Sequence, residues 1–249
     1  MIIRTFPNAD KIRLVAEGIK ARLLQLGLNQ ADLDPILHQH PQYQLQLYEN
    51  KLAVFFNESH RKLQYHVFVD FHSAKMQYRS GAHINAEKLV KAVVGKSKTS
   101  LKVLDATAGF GKDSYLLALA GCQITACESN PLMFALLKDG FLRGEIETID
   151  LKHDNSQTVI DEGEYDVIYL DPMYPQSGKS AKNNKDMAFL QDIVGHQPEM
   201  AEILLEKSLK SKTKKIVVKR PVKSEFVLGK KPTSQIISKA VRFDIYARS

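Results

Sequence analysis

The 249-residue chain lacks several features that would place it outside ordinary globular proteins. It has no run of 18 apolar residues, and its first residues include no apolar segment typical of signal peptides. Its only cysteines, Cys122 and Cys127, flank one predicted strand, where they would face opposite sides. No spacing of histidine and cysteine suggests a metal site. We therefore expect a cytoplasmic protein without disulfides, metal or membrane association.

Acidic residues are too few to balance the basic ones. The chain has 28 Asp and Glu against 35 Lys and Arg, a formal net charge of +7. Lysines cluster at positions 179, 182 and 185 and again between 207 and 215, while acidic residues concentrate between 145 and 166. Such lysines can simply cover solvated helix faces. A basic surface beside a site would instead attract a polyanion, and for the first cluster we favour nucleic acid.

A second basic stretch contains an aromatic residue. His72, Lys75, Arg79 and His83 lie within twelve positions, with Tyr78 between them. Basic and aromatic side chains together suit a flipped or single-stranded base, although single histidines can also be ordinary core or surface residues.

A third glycine is missing from the loop that follows the strand-like run at residues 101–104. Gly109 and Gly111 allow a tight turn and close approach of the backbone to a ligand. The dinucleotide-binding fingerprint needs another glycine where Ser114 stands, which disfavours a nicotinamide-dependent oxidoreductase. The spacing from Asp105 to Gly111 instead resembles the loop of class I methyltransferases that holds the methionine part of S-adenosylmethionine.

Two further polar positions follow this loop. Glu128 ends the next strand-like run, where an acid can accept hydrogen bonds from ribose hydroxyls; the alternative is an exposed carboxylate at a strand end. Asn155 and Ser156 follow a later strand and can bind an adenine edge or cap the next helix.

The most informative segment follows the apolar run at residues 165–170. It reads Asp171, Pro172, Met173 and Tyr174. After a buried strand, an Asp-Pro pair can be merely a turn. An acid, a rigid backbone and an aromatic ring are also what methylation of a planar exocyclic amine needs. The segment resembles the catalytic loop of amino-methyltransferases, with Asp171 and the Pro172 carbonyl as acceptors and Tyr174 stacking on the base.

The order of the predicted elements indicates an α/β fold. We expect a seven-stranded class I methyltransferase sheet, Rossmann-like, that ends in an antiparallel hairpin formed by residues 235–237 and 242–247. The front of the chain predicts a helix and three antiparallel strands, with a hairpin turn at residues 49–51. We therefore predict a small α+β domain at residues 1–75 and the methyltransferase domain at residues 76–249.

Five stretches resemble the bacterial RsmJ-type family in order and spacing. They are residues 105–113, 128–131, 170–175, 217–221 and 242–246. The resemblance implies methylation of the N2 amine of a guanine in small-subunit (16S) ribosomal RNA, either naked or in the assembled subunit. It also implies cofactor contacts at the following residues: Asp105, Gly109, Gly111, Lys112, Asp113, Glu128, Ser129, Asn155, Ser156 and Asp171.

Two other functions share much of this pattern. The first is methylation of adenine N6 or another amine of a nucleic acid, because the loop chemistry is the same. The second is a non-catalytic RNA-binding factor in ribosome assembly that keeps the fold. Identification of the methylated nucleoside separates the first from guanine methylation, and turnover on RNA separates the second.

Overall fold

The protein is described by a computed structural model that covers residues 9–58, 63–97, 99–173, 185–195 and 199–248, with side chains from residue 16 onward. Two sheets organise this part of the chain, a three-stranded antiparallel sheet and a seven-stranded mixed sheet. No helix in the described ranges is long and apolar enough to cross a membrane.

The small sheet is preceded by two helices, α1 (Ala9–Gln25) and α2 (Asp34–Gln39). Its strands are β1 (Tyr43–Tyr48), β2 (Lys51–Glu58) and β3 (Leu63–Val67), in that order. Tyr48 pairs with Lys51, so Glu49 and Asn50 alone form the connection, with φ of 48° and 60°. Two positive φ values are typical of the type I′ turn, whose twist matches that of a hairpin. The predicted hairpin is confirmed.

The large sheet has the strand order β6-β5-β4-β7-β8-β10-β9. The five strands from β6 to β8 are parallel, and β10 pairs antiparallel with both β8 and β9. The predicted antiparallel end of the sheet is therefore confirmed. The strands are β4 (Lys102–Asp105), β5 (Gln123–Cys127), β6 (Ile149–Lys152), β7 (Val167–Leu170), β8 (Lys215–Pro221), β9 (Ser234–Ile237) and β10 (Val241–Ala247).

Helices connect these strands and cover both faces of the sheet. They are α3 (Ala74–Ser80), α4 (Lys88–Val93), α5 (Lys112–Leu119), α6 (Pro131–Arg143), α7 (Ser156–Glu162), α8 (Lys185–Val194) and α9 (Met200–Lys210). Successive residues of the central strands point to opposite faces, and both are buried. Val103 belongs to the core on the side of α5 and α6, and Leu104 to the core on the side of α7 and α9. Burial on both faces explains why these strands are continuous apolar runs.

The front of the chain packs on α6 through a buried carboxylate. Asp139 is 0% exposed; one of its oxygens accepts hydrogen bonds from the Leu52 backbone N–H at 3.1 Å and from Arg143 Nε at 2.7 Å. Arg22 Nε lies 3.5 Å from the other oxygen. A buried carboxylate needs such partners. Buried apolar residues of both parts form one cluster, and the predicted boundary after residue 75 falls within α3. The division into two domains stays a prediction.

Candidate active site

The candidate site lies at the edge of the large sheet where the parallel strands end. The chain order reverses between β4 and β7, the kind of position at which open α/β sheets bind ligands. The Ala106 N–H donates to the Tyr169 carbonyl at 3.1 Å, and the Asp171 N–H donates to Thr107 Oγ1 at 2.7 Å. These bonds place the loop after β4 beside the segment after β7.

The loop after β4 has the conformation that its glycines predict. Gly109 and Gly111 have φ of +52° and +68°, in the left-handed region that favours glycine. Space is also restricted at Gly111, because a Cβ atom there would lie 2.5 Å from Leu137 Cδ1. Gly111 directly precedes α5, so the loop leads its backbone N–H groups into a helix N-terminus.

Glu128 connects this loop to the start of α6. Its Oε2 accepts from the Gly109 N–H at 2.9 Å, and its Oε1 accepts from the Asn130 N–H at 2.8 Å. Burial raises the pKa of this carboxyl, and the backbone N–H groups oppose the rise. Each carboxylate oxygen can accept a second hydrogen bond. Ser129, the next residue, is exposed. The predicted ribose contact at Glu128 therefore has the acceptor it needs and stays a prediction.

Asp105 lies inside the protein rather than at the surface of the cleft. It is 1% exposed; its oxygens accept from Ser114 Oγ at 2.5 Å and from the Thr107 N–H at 3.1 Å. Burial raises the pKa of Asp105 to about 7. Its contacts hold the glycine loop on α5, and Ser114, where the dinucleotide fingerprint would have glycine, is the partner that makes this possible.

Asn155 and Ser156 have structural partners in addition to their predicted role. Asn155 is the N-cap of α7, and its Oδ1 accepts from the Gln157 N–H at 2.8 Å. Ser156 Oγ donates to the Ala106 carbonyl at 2.6 Å, which joins α7 to the end of β4. The capping alternative is thus confirmed for Asn155. The adenine contact stays a prediction for both residues.

The segment after β7 is joined to β8 and α5 through one lysine. Lys219 Nζ lies 2.7 Å from Asp171 Oδ2 and 2.9 Å from Asp113 Oδ2. The same Asp113 oxygen accepts from the Tyr169 hydroxyl at 2.7 Å. Arg79 Nη2 lies 3.7 Å from Asp113 Oδ1. The two carboxylates therefore share one cation, Lys219, and Asp113 has Arg79 as a second one.

The charges in this cluster determine its protonation states. Burial opposes the positive charge of Lys219, but Asp171 and Asp113 outweigh it and raise the pKa of the lysine. Lys219 is therefore an ammonium at neutral pH. Burial also works against ionised Asp113, yet Lys219, Tyr169 and Arg79 hold the pKa of Asp113 below its usual value. Burial raises the pKa of Asp171, and Lys219 opposes that rise.

The remaining predicted residues lie around this cluster. Pro172 is buried directly after Asp171, and Tyr174 lies outside the described residues. Lys112 Nζ lies 2.7 Å from Asp186 Oδ2 on α8 and 4.9 Å from the centre of the Phe110 ring. Lys112 therefore joins the start of α5 to α8, and a cofactor contact there stays a prediction.

The sequence analysis did not identify Lys219, Tyr169 or Thr107 as site residues, and it named Arg79 only as part of the basic stretch around Tyr78. A signal existed for Lys219, which lies in the stretch at residues 217–221 that carries part of the family resemblance. Its partners are 48 and 106 positions away in sequence. Only the strand order, which places β8 next to β7, brings them together.

Comparison with known proteins agrees with this geometry. A family model described as "Putative SAM-dependent methyltransferase" matches residues 28–248. The protein named Ribosomal RNA small subunit methyltransferase J from Francisella philomiragia is 40% identical over 192 residues, 73% of this chain and 80% of that protein. Its namesake from Hahella chejuensis is 41% identical over 191 residues, 73% of this chain and 72% of that protein. The chain belongs to this methyltransferase family.

A solved member of the methyltransferase family has the same fold. The SAM-dependent methyltransferase from Neisseria gonorrhoeae is 30% identical with a TM-score of 0.56, and the match covers 79% of each chain. The sequence-based predictions of a class I methyltransferase fold, of methyltransferase activity and of S-adenosylmethionine as cofactor are confirmed.

The residues present fit the cofactor of this methyltransferase family. Gly109 leaves the backbone open where a side chain would stand, Gly111 allows the loop to pack closely on Leu137, and Glu128 offers unused acceptor capacity at the end of β5. Gly109, Gly111 and Glu128 would hold S-adenosylmethionine, and Asp171 lies across the loop from them, joined to it through Thr107.

Proposed function

We propose that this enzyme methylates the exocyclic N2 amine of a guanine in small-subunit ribosomal RNA. The name of the curated relatives supports RNA of the small subunit as the substrate. The observation that carries the chemistry is Asp171, which follows a buried strand and has one carboxylate oxygen held by Lys219 at 2.7 Å.

The proposed role of Asp171 is to orient the amine. Lys219 occupies Oδ2, and within the described part of the chain Oδ1 has no hydrogen-bond partner. A carboxylate oxygen accepts but does not donate, so Oδ1 suits an amine N–H and not a carbonyl. Lys219 and the bond from the Asp171 N–H to Thr107 fix the direction of this acceptor before substrate binds. Preorganised acceptors of this kind contribute to catalysis because they need not reorganise during the reaction.

The charge of Asp171 matters because the reaction makes the amine positive. When bound, S-adenosylmethionine supplies an electrophilic methyl group on a sulfonium sulfur. The amine nitrogen would form the new N–C bond as the S–C bond breaks to leave a neutral thioether, and the nitrogen would then lose one proton. The proposed role of Asp171 Oδ1 is to stabilise the positive nitrogen, accept that proton and pass it to water. The Pro172 carbonyl is the second proposed acceptor, and Tyr174 the proposed stacking residue.

The target base must leave its stack to reach Asp171. Bases in a duplex hide their exocyclic amines, so enzymes that modify them act on single strands or on flipped nucleotides. The substrate is therefore a single-stranded or distorted site in RNA, either naked or within the assembled small subunit.

The test is transfer of a labelled methyl group to naked small-subunit RNA and to assembled subunits, followed by identification of the nucleoside. We expect N2-methylguanosine. N6-methyladenosine would contradict the choice of base. Intact binding of S-adenosylmethionine without turnover on either RNA would support the non-catalytic alternative. Asp171→Ala provides the background rate of methyl transfer with naked RNA and with assembled subunits.

A further inference from the structure

Tyr78 on α3 is unusually exposed for an aromatic residue. Its exposed fraction is 89%, and the next most exposed large apolar side chain of the described residues is Leu24, at 63%. The inward side of α3 already packs in the hydrophobic core through Met76, which is buried. An exposed aromatic ring on a short, well-anchored helix offers a flat surface for stacking.

The surface around Tyr78 carries excess positive charge. Residues 72–91 contain four lysines and arginines but a single acid, Glu87. Arg79 forms an ion pair with this acid, with Nε 3.1 Å from Glu87 Oε1. Lys75 is exposed, lies one helical turn before Tyr78, and has no ion-pair partner within the described ranges. His72 and His83 are exposed on either side.

Lysines at the edge of the sheet opposite the candidate site are already paired with acidic residues of the protein. Lys207 lies 2.5 Å from Asp161, and Lys212 lies 3.3 Å from Glu164. These pairs belong to the ends of α7 and α9, where the acidic stretch of the sequence is found. Positive charge near α3 is therefore available to a ligand, while much of the charge at the other edge is matched by the protein's own acids.

The α3 surface is also joined to the candidate active site. Phe71, just before α3, packs on Tyr115 of α5 with ring centres 4.9 Å apart. Arg79 lies 3.7 Å from Asp113, which shares Lys219 with Asp171. The residue after Tyr78 is therefore three ionic contacts from the proposed amine acceptor, through Asp113 and Lys219. A nucleic acid whose target base lies at Asp171 would have its neighbouring nucleotides near this surface.

We propose that the α3 surface, formed by His72, Lys75, Tyr78 and His83, binds the single-stranded RNA beside the target nucleotide, with Tyr78 stacking on one of its bases. This inference rests on the proposed function, because it takes RNA as the substrate. Lys75 contacts a backbone phosphate, and the stacked base holds the strand in register with Asp171. Stacking tolerates any base, so the surface contributes affinity and leaves the choice of target to the site.

The first test uses the absence of tryptophan from the chain. Tyr78→Trp keeps an aromatic ring at this position and introduces the single tryptophan of the protein, whose fluorescence reports on stacking. Addition of the RNA that the enzyme methylates should quench this fluorescence, and inorganic polyphosphate at equal charge should not. Equal quenching by polyphosphate, or none by RNA that binds, would overturn the stacking.

The second test measures RNA affinity. Tyr78→Ala should raise the Kd and KM for RNA by about 10-fold, within the range for loss of one base–aromatic stack, and Tyr78→Phe should retain most of the affinity. Lys75→Ala should flatten the salt dependence of binding by roughly 0.7 to 0.9 on a log–log plot. Affinity for S-adenosylmethionine should not change in any of these variants.

Matched controls exist elsewhere on the surface. Leu24→Ala removes the next most exposed apolar side chain, and Lys212→Ala removes a lysine that is 88% exposed; neither should alter RNA affinity. If the unmodified protein methylates RNA and Tyr78→Ala matches it in affinity, the docking surface alone is wrong. If the unmodified protein neither binds nor methylates RNA, the proposed function fails as well.

Discussion

The two halves of the site stabilise their acidic residues in different ways. On the cofactor side, Glu128 and Asp105 are held by uncharged donors, namely backbone N–H groups and the Ser114 hydroxyl. On the acceptor side, Asp171 and Asp113 are held by the cations Lys219 and Arg79. The first arrangement joins the ends of β4 and β5 to the loop and helix that follow each strand, whereas the second joins α3, α5, β8 and the segment after β7.

This difference fits the role that we propose for each half. A cofactor pocket needs a fixed shape, and backbone N–H groups provide it without mobile side chains. An acceptor for a developing positive charge must remain negative while partly buried, and a paired cation makes that possible because it offsets the cost of removing the carboxylate from water. The acceptor half should therefore respond to loss of charge, and the cofactor half to loss of hydrogen-bond geometry.

The largest effect is expected from the acceptor itself. Asp171→Ala should lower methyl transfer by about 10²-fold or more at saturating S-adenosylmethionine, comparable to loss of one preorganised electrostatic contact. Asp171→Asn keeps one acceptor oxygen and should retain more activity than alanine. Single-turnover rates measure this, and near-normal turnover by Asp171→Ala would rule out the proposed mechanism.

Loss of the shared cation should come next. In Lys219→Met, Asp113 and Asp171 lose the cation that they share and only Arg79 remains beside Asp113, so the pKa of Asp171 should rise further. We expect about 10²-fold lower activity at neutral pH. Activity should partly recover as pH rises, so the acidic limb of the pH–rate profile should shift to higher pH. Lys219→Arg should restore most of the activity.

A merely structural role for Lys219 would lower activity equally at every pH, and this outcome would contradict the assignment. Lys207→Met serves as the control. It also removes a lysine from an ion pair, with Asp161, but at the opposite edge of the sheet. Its pH–rate profile should match that of the unmodified enzyme.

On the cofactor side, Glu128→Ala should weaken binding of S-adenosylmethionine by about 1.5 to 3 kcal/mol, the range for hydrogen bonds to charged groups. Part of this loss comes from the glycine loop, because the Gly109 N–H loses its acceptor. Calorimetry at neutral pH provides the measurement. Unchanged affinity would remove Glu128 from the cofactor site.

The smallest effect concerns Asp105 and should appear in stability. Its folded-state pKa of about 7 lies above the ordinary value near 4, so between these values the folded chain keeps a proton that the unfolded chain has lost. Stability from this group is complete below pH 4, falls as pH rises, and is lost above pH 7. Asp105→Asn removes the titration.

Chemical denaturation of both proteins at pH 5 and pH 7 can test this expectation. The stability of the unmodified protein relative to Asp105→Asn should fall by about 2 kcal/mol over that interval, since each unit of pKa shift corresponds to about 1.4 kcal/mol and the group is half titrated at pH 7. A difference that stays constant with pH would show that Asp105 is ionised throughout this interval, and the prediction would be wrong.

The sequence was informative where structure is local. The run before Asp171 was recognisable because a strand buried on both faces must be apolar, and Gly109 and Gly111 were recognisable because few residues other than glycine adopt positive φ without strain. Asn155 shows the limit of this approach. Its position allowed both a ligand contact and a helix cap, and only the structure showed the cap.

The sequence by itself determined the succession of the seven strands of the large sheet along the chain, the glycine loop, the acid after β5 and the candidate acceptor after β7, because each depends on neighbouring residues. Only the tertiary structure decided which charges meet. Lys219 reaches Asp171 because β8 lies beside β7, Arg79 reaches Asp113 because α3 packs on α5, and Asp139 accepts from Leu52 because β2 lies on α6. Such pairs depend on packing between segments that are distant in sequence, and no local pattern of residues indicates which segments will pack together.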